Sequence, residues 1–113
     1  MTIEVPDVTA ETAASLVGDG ALLLDVREPD EWEAGHAPAA LHVPMRQVPT
    51  HLAELPRDRR IVAICRSGVR SRAVAEVLTG EGFDVVNVAG GMQAWEVADL
   101  PIQTSDGAPG TVV

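Results

Sequence analysis

Arg60-Ile61-Val62-Ala63-Ile64-Cys65-Arg66-Ser67-Gly68-Val69-Arg70-Ser71-Arg72 is the stretch whose reading decides the fold. Its first half is β-branched and apolar, the pattern of a strand buried on both faces. Its second half turns polar at once and runs into a segment where Val74, Val77 and Leu78 share one helical face. A buried strand passing through a short loop into a helix is half of a βαβ unit.

The same alternation continues outward in both directions. Downstream, Gly80 and Gly82 close the helix and Val85 to Val88 is a second β-branched strand. Gly90-Gly91 then leads into a short helix, Met92 to Val97, with Met92 and Trp95 one turn apart. Upstream, Pro56-Arg57-Asp58-Arg59 reads as a turn. Val48, Leu52 and Leu55, spaced i, i+4, i+7, predict a helix with Pro49 in its first turn and Pro56 at its close. Leu41 to Val43 is a short strand ended by Pro44, and Ala21 to Val26 is an apolar strand containing Asp25. Pro29 and the acids after it suit a helix start, with Gly35 as its stop. Ile3 to Val5 is a strand candidate, and Thr9 caps a helix reaching Val17. Together these predict an α/β/α three-layer domain around a mainly parallel sheet, spanning 1–102. The Gly/Pro-rich residues 103–113 are expected to form a flexible tail.

Composition bounds the function. The chain has 113 residues, enough for one domain, and 46% of them are hydrophobic. Aromatic residues make up only 3%, so the core must be built from Ala, Val, Leu and Ile, with Trp32 and Trp95 as anchors. The net charge of −9 argues against nucleic acid and against anionic membranes as partners. The first residues have neither the basic nor the apolar region of a signal peptide, and no apolar run is long enough for a membrane span. A soluble, cytoplasmic protein is expected. A single cysteine excludes an internal disulfide, and no His spacing suggests a metal site with it. No cofactor is expected.

In parallel α/β folds the ligand site lies beyond the carboxyl ends of the strands. Three segments occupy that position: Asp25-Val26-Arg27, Cys65-Arg66-Ser67-Gly68 and Ala89-Gly90-Gly91. Cys65 is the chemically distinctive one. It precedes a helix whose first N–H groups lack internal partners and favour an anion, and the Gly can turn loop amides inward. Three of the eight cationic residues, Arg66, Arg70 and Arg72, lie within this loop of an otherwise acidic chain. A thiol ordinarily titrates near pH ~8.5. Each ~1.4 kcal/mol of preference for the thiolate lowers that by one pH unit, and charge-assisted hydrogen bonds contribute roughly 1.5–3 kcal/mol apiece. A nucleophilic thiolate is therefore within reach of this loop. Asp25 is expected to orient Arg70 or Arg72, and Arg27 to pair with a nearby carboxylate.

Four segments carry a family likeness: Asp25 to Trp32 (DVREPDEW), Gly35 to Pro44 (GHAPAALHVP), Cys65 to Ser71 (CRSGVRS) and Gly90 to Trp95 (GGMQAW). In order and spacing they resemble the motifs of rhodanese domains. The resemblance implies the rhodanese-like fold and a sulfurtransferase in which Cys65 takes a sulfane sulfur from a small anionic donor such as thiosulfate, becoming a persulfide. A thiol or cyanide then accepts the sulfur. It further implies that backbone amides from Arg66, Ser67, Gly68, Val69, Arg70 and Ser71 cradle that sulfur, with Arg66 and Arg70 orienting the donor. Apart from the resemblance, Ser67 and Ser71 are candidate donors to the sulfur, and Ser71 reads equally as the N-cap of the following helix. His36 belongs to a structural turn. Related phosphatases separate Cys from Arg by five residues, whereas Cys65 and Arg70 have four between them, so phosphatase activity is the weaker reading. The chain departs from the family at Ala37, usually Ile, and at Ala39, usually Gly. A non-turnover role, handing a persulfide to a sulfur-acceptor protein, is the alternative to an enzyme.

Overall fold

A computed structural model describes residues 3–113. Five strands form one sheet: β1 (Asp7–Val8), β2 (Leu22–Asp25), β3 (Leu41–His42), β4 (Ile61–Ile64) and β5 (Val85–Val88). Their order across the sheet is β1-β5-β4-β2-β3, and every pairing is parallel. Among the described residues, three α-helices connect strands, α1 (Ala10–Gly18), α2 (Pro29–Ala34) and α3 (Val69–Gly80), and α4 (Gly91–Val97) follows β5.

The period of two along β4 divides the core into two layers. Ile61, Ala63 and Cys65 pack on one face, with Val74, Ala75 and Leu78 of α3. Val62 and Ile64 pack on the other, with Ala10 and Ala13 of α1 and Met92 and Trp95 of α4. The three-layer architecture expected from the alternation is what the chain adopts. The chain leaves β2 towards β3 and leaves β4 towards β5, so the strand order reverses between β2 and β4. Asp25 pairs in register with Ile64 there, one residue before Cys65. The loops after both strands consequently diverge around a shared crevice.

Four local expectations change. The first strand is Asp7–Val8, not Ile3 to Val5. The carbonyls of Pro6 and Val8 accept from Asn87 and Ala89, which sets the pairing one step beyond Pro6. The helix expected over Val48, Leu52 and Leu55 is instead two 3-10 segments, Met45–Thr50 and Leu52–Glu54. Pro49 within it cannot donate, and its ring opposes a full α-turn. Val48 and Leu55 still reach the core. Trp95 is buried, whereas Trp32 is half-exposed and stacks with His36 at 3.6 Å and His42 at 4.6 Å between ring centroids. Finally, residues 103–113, expected to be a flexible tail, lie against the body of the domain. His36 and Gln103 exchange backbone hydrogen bonds, Thr111 N–H donates to the Ala34 carbonyl, and Val112 packs on the α1/α4 layer. Ala39 does not adopt a positive φ, so the Gly-to-Ala departure leaves its backbone unstrained. Ala37 is buried in the α1/α4 layer.

Candidate active site

The Cys65 side chain points to the floor of the loop that joins β4 to α3, and the residue is 0% exposed. Gly68 makes that loop possible. Its φ of 101° is left-handed, and a Cβ there would sit 3.2 Å from the Val88 carbonyl oxygen. Only glycine takes this conformation without strain. With it, the Gly68 N–H turns back to donate to Cys65 Sγ at 3.1 Å. Ser71, one turn into α3 and fully buried, donates its hydroxyl to the same sulfur at 3.3 Å.

These donors decide the state of the thiol. Burial pushes its pKa up. Against that stand the Ser71 hydroxyl and the backbone amides of Ser71, Gly68 and Ser67, which favour the anion. The donors prevail, and Cys65 titrates below the ordinary thiol range. The α3 N-terminus contributes the amides with the partial positive charge expected there.

A second wall comes from α4. Gly91 has φ 53° and lies so close to the loop that its Met92 neighbour donates to the Cys65 carbonyl at 2.7 Å. Gln93 donates to the Arg66 carbonyl at 3.0 Å. The Gly90-Gly91 pair thus lets the start of α4 hold the backbone of the loop from behind.

The arginines divide into different roles. Arg27 and Asp25 are both fully buried and pair with each other, Nη2 to Oδ2 at 2.8 Å and Nε to Oδ1 at 3.0 Å. Arg27 also donates to the carbonyls of Gly35 and Glu31, tying the end of β2 to the end of α2. Asp25 therefore does not orient Arg70 or Arg72. Its geometry is satisfied by Arg27, two residues away on the same loop. Arg70 is held instead by Glu31 of α2, through paired bonds of 2.7 and 2.8 Å. The Glu31 hydrogen bond is the largest cause that raises the Arg70 pKa, and a Cys65 thiolate adds a smaller electrostatic contribution in the same direction. Arg70 in turn is the main cause that lowers the Glu31 pKa. Arg72 pairs with Asp7 of β1 and donates to the Val5 carbonyl at 3.3 Å. Arg66 is exposed and donates to the Val113 carbonyl at 2.8 Å.

Of the residues singled out from the sequence, Cys65, Ser67, Gly68 and Ser71 converge on the sulfur, and Arg70 stands beside it. Val69 is 74% exposed and turns outward. Asp25 and Arg27 act at one remove, through α2. His36 belongs to the turn expected of it, its Nδ1 2.8 Å from the Trp32 carbonyl oxygen. Two residues escaped the sequence reading. Glu31 was visible as a helix N-terminal acid and as part of the Asp25 to Trp32 segment, but not as the partner of Arg70. Asn87 lies buried in β5 with its amide reaching the loop. A lone amide in an otherwise apolar strand was the available signal, since a buried polar group needs a partner.

The family model of the rhodanese-like domain matches residues 9–98. A sulfurtransferase of Allochromatium vinosum is 37% identical over 106 residues, covering 91% of this chain and 99% of the relative. The thiosulfate sulfurtransferase GlpE of Pseudomonas syringae is 33% identical over 105 residues, covering 92% and 98%. Among solved structures, a rhodanese-related protein from Thermoplasma volcanium superposes with a TM-score of 0.80 at 30% identity, covering 86% of this chain and 96% of that one.

Proposed function

This chain belongs to the rhodanese-like domain family and is a sulfurtransferase, and from that premise we propose that it moves a sulfane sulfur through a persulfide on Cys65. The donor is thiosulfate or another persulfide, and the acceptor is a thiol or cyanide. The observation that carries this reading is the convergence of the Gly68 amide and the Ser71 hydroxyl on a buried sulfur. That arrangement stabilises a thiolate, the form that attacks.

The chemistry balances in two steps. The Cys65 thiolate attacks the outer sulfur of thiosulfate. The sulfur–sulfur bond of the donor breaks, sulfite leaves with the electron pair, and a Cys65 persulfide remains. Cyanide or a thiolate then attacks the outer sulfur and leaves Cys65 as the thiolate again. With one cysteine in the chain no internal disulfide can form, so an external acceptor completes each cycle. Because Cys65 is wholly shielded, the donor reaches it only when exposed side chains of the loop move aside.

The two arms of Arg70 are engaged by Glu31, which lessens the charge available to a dianion. This feature favours the second reading, a persulfide carrier loaded by a partner protein whose donor sulfur bears less charge. Glu31→Gln separates the two. If Arg70 serves thiosulfate, removing the carboxylate strengthens the attraction by about 1 kcal/mol, a roughly five-fold lower KM with little change in kcat. Initial rates across a thiosulfate series give the answer. An unchanged KM counts against Arg70 as the donor's anchor. Residues 1–102 we take as the working domain.

The direct test is intact-protein mass spectrometry after incubation with thiosulfate, repeated after cyanide is added. A gain of one sulfur, lost to cyanide with thiocyanate released, supports the enzyme. A sulfur accepted only from a protein persulfide, and not turned over by cyanide, supports the carrier.

A further inference from the structure

Behind the nucleophile lies a hydrogen-bond chain that the sulfur-transfer scheme leaves unused. The Ser71 hydroxyl has two acceptors within reach, Cys65 Sγ at 3.3 Å and Asn87 Oδ1 at 2.6 Å. A hydroxyl has one proton to give, so it serves one of them at a time. The orientation of the Asn87 amide is not free. Its Nδ2 donates to the Gly68 carbonyl at 3.1 Å and to Asp7 Oδ1 at 3.1 Å. Both are acceptors only, so the NH2 must face them and Oδ1 must face Ser71. Ser71 is 0% exposed and Asn87 2%, so no bulk water relieves the competition.

We propose that Asn87 is a positioning residue that governs the sulfur through Ser71: it accepts the hydroxyl's hydrogen bond whenever Cys65 is uncharged, and yields it when the Cys65 sulfur becomes anionic. With a neutral thiol, Ser71 donates to Asn87 and presents a lone pair to the S–H. With a thiolate, the hydroxyl turns to the sulfur and leaves Asn87 Oδ1 unpaired. In the persulfide, the negative charge sits on the outer sulfur and the hydroxyl returns to Asn87. The toggle itself changes only the O–H direction: the thiol proton leaves to solvent when Cys65 ionises, and the outer sulfur of the persulfide comes from the donor. The toggle restrains the bare thiolate and favours the loaded form, so that neither state traps the cycle. This last consequence rests on the persulfide reading above, whereas the toggle itself does not.

The test therefore reads the sulfur without sulfur transfer. The rate of Cys65 alkylation by iodoacetamide is followed against pH by intact mass, in the full chain and in Ser71→Ala, Asn87→Val and the double variant. The charged groups around the loop are Arg70 of α3 with its Glu31 partner on α2, the buried Asp25–Arg27 pair at the end of β2, and the Asp7–Arg72 pair beyond Asn87. All are present in every variant. Ser71→Ala is expected to move the alkylation midpoint up by about one pH unit, the loss of one charge-assisted hydrogen bond. Asn87→Val is expected to move it down by up to about one unit, because the hydroxyl then serves the sulfur alone. The double variant should match Ser71→Ala, as Asn87 acts only through that hydroxyl. Additive shifts, or an Asn87→Val midpoint equal to the parent's, overturn the proposal. Should Asn87→Val fail a circular-dichroism check of folding, Asn87→Thr replaces it. Threonine suits the strand but its hydroxyl is one bond too short to reach Ser71, and the same downward shift is required.

Discussion

Cys65→Ser is expected to remove sulfur loading altogether while leaving the fold in place. A serine hydroxyl at this position is a poor nucleophile, because its bonded neighbours among the described residues, the Gly68 amide and the Ser71 hydroxyl, are donors that do not take its proton. The loop is built around an acceptor: the Gly68 amide and the Ser71 hydroxyl both point at the side-chain atom of residue 65. An oxygen accepts from both, so the change in stability should stay within about 1 kcal/mol. Intact mass after thiosulfate should show no added sulfur, and the melting temperature should lie within a few degrees of the parent's. Retained turnover would remove Cys65 from the mechanism. Lost folding would instead mean that the thiol itself holds the loop together.

Gly91→Ala is expected to be the most damaging single methyl in the chain. A Cβ at this position would lie 2.3 Å from the Cys65 carbonyl oxygen and 2.7 Å from the carbonyl carbon and oxygen of Arg66. All three are backbone atoms, so no side chain can swing away. The φ of 53° adds left-handed strain of roughly 1–2 kcal/mol. The start of α4 would be forced from the loop, with loss of the Met92 and Gln93 hydrogen bonds at about 1 kcal/mol each. Together these amount to about 3–4 kcal/mol, a large part of the ~5–15 kcal/mol that holds a typical domain together. Gly107→Ala is the control. It also has a positive φ, but nothing lies near its Cβ, so its cost should be about 1 kcal/mol. Urea midpoints of the two variants give the comparison, and iodoacetamide alkylation of Cys65 shows whether the loop has opened. Equal midpoints would mean that α4 does not brace the loop.

Strands β2 to β5 and the nucleophile were legible because their signals are local. RIVAI is a buried strand by composition alone, and Cys65 follows it at once. The α3 start, at Val69 behind a Gly68 cap, lies two residues before the Ser71 expected, whereas the α4 start was legible through Gly90-Gly91. The 3-10 segments were less so, because the apolar spacing of Val48, Leu52 and Leu55 fits a helix and only Pro49 speaks against one. Partner choice was not legible. Arg70 turned to Glu31, not Asp25, because Arg27 had already claimed Asp25 inside its own loop. Nothing in the spacing says which of two acids, 39 or 45 residues from Arg70, the folded chain will bring to it. Likewise the tail's glycines and proline suggested mobility, yet Gly35 and Gly110 let its backbone lie close along α2.

The edge strand β1 has a consequence for the order in which the protein becomes reactive. Asp7 fixes the amide of Asn87, a residue 80 positions later in the chain. Contacts of such separation form late, because the loop they close is long and its entropy must be overcome before the contact returns anything. Until β1 docks on β5, the Asn87 amide can turn over, and the donors around the sulfur lack their final arrangement. Asp7 is delivered by the ribosome 80 residues before Asn87. The growing chain therefore carries the Cys65 loop without its Asn87 restraint until β5 has been made and β1 has docked on it.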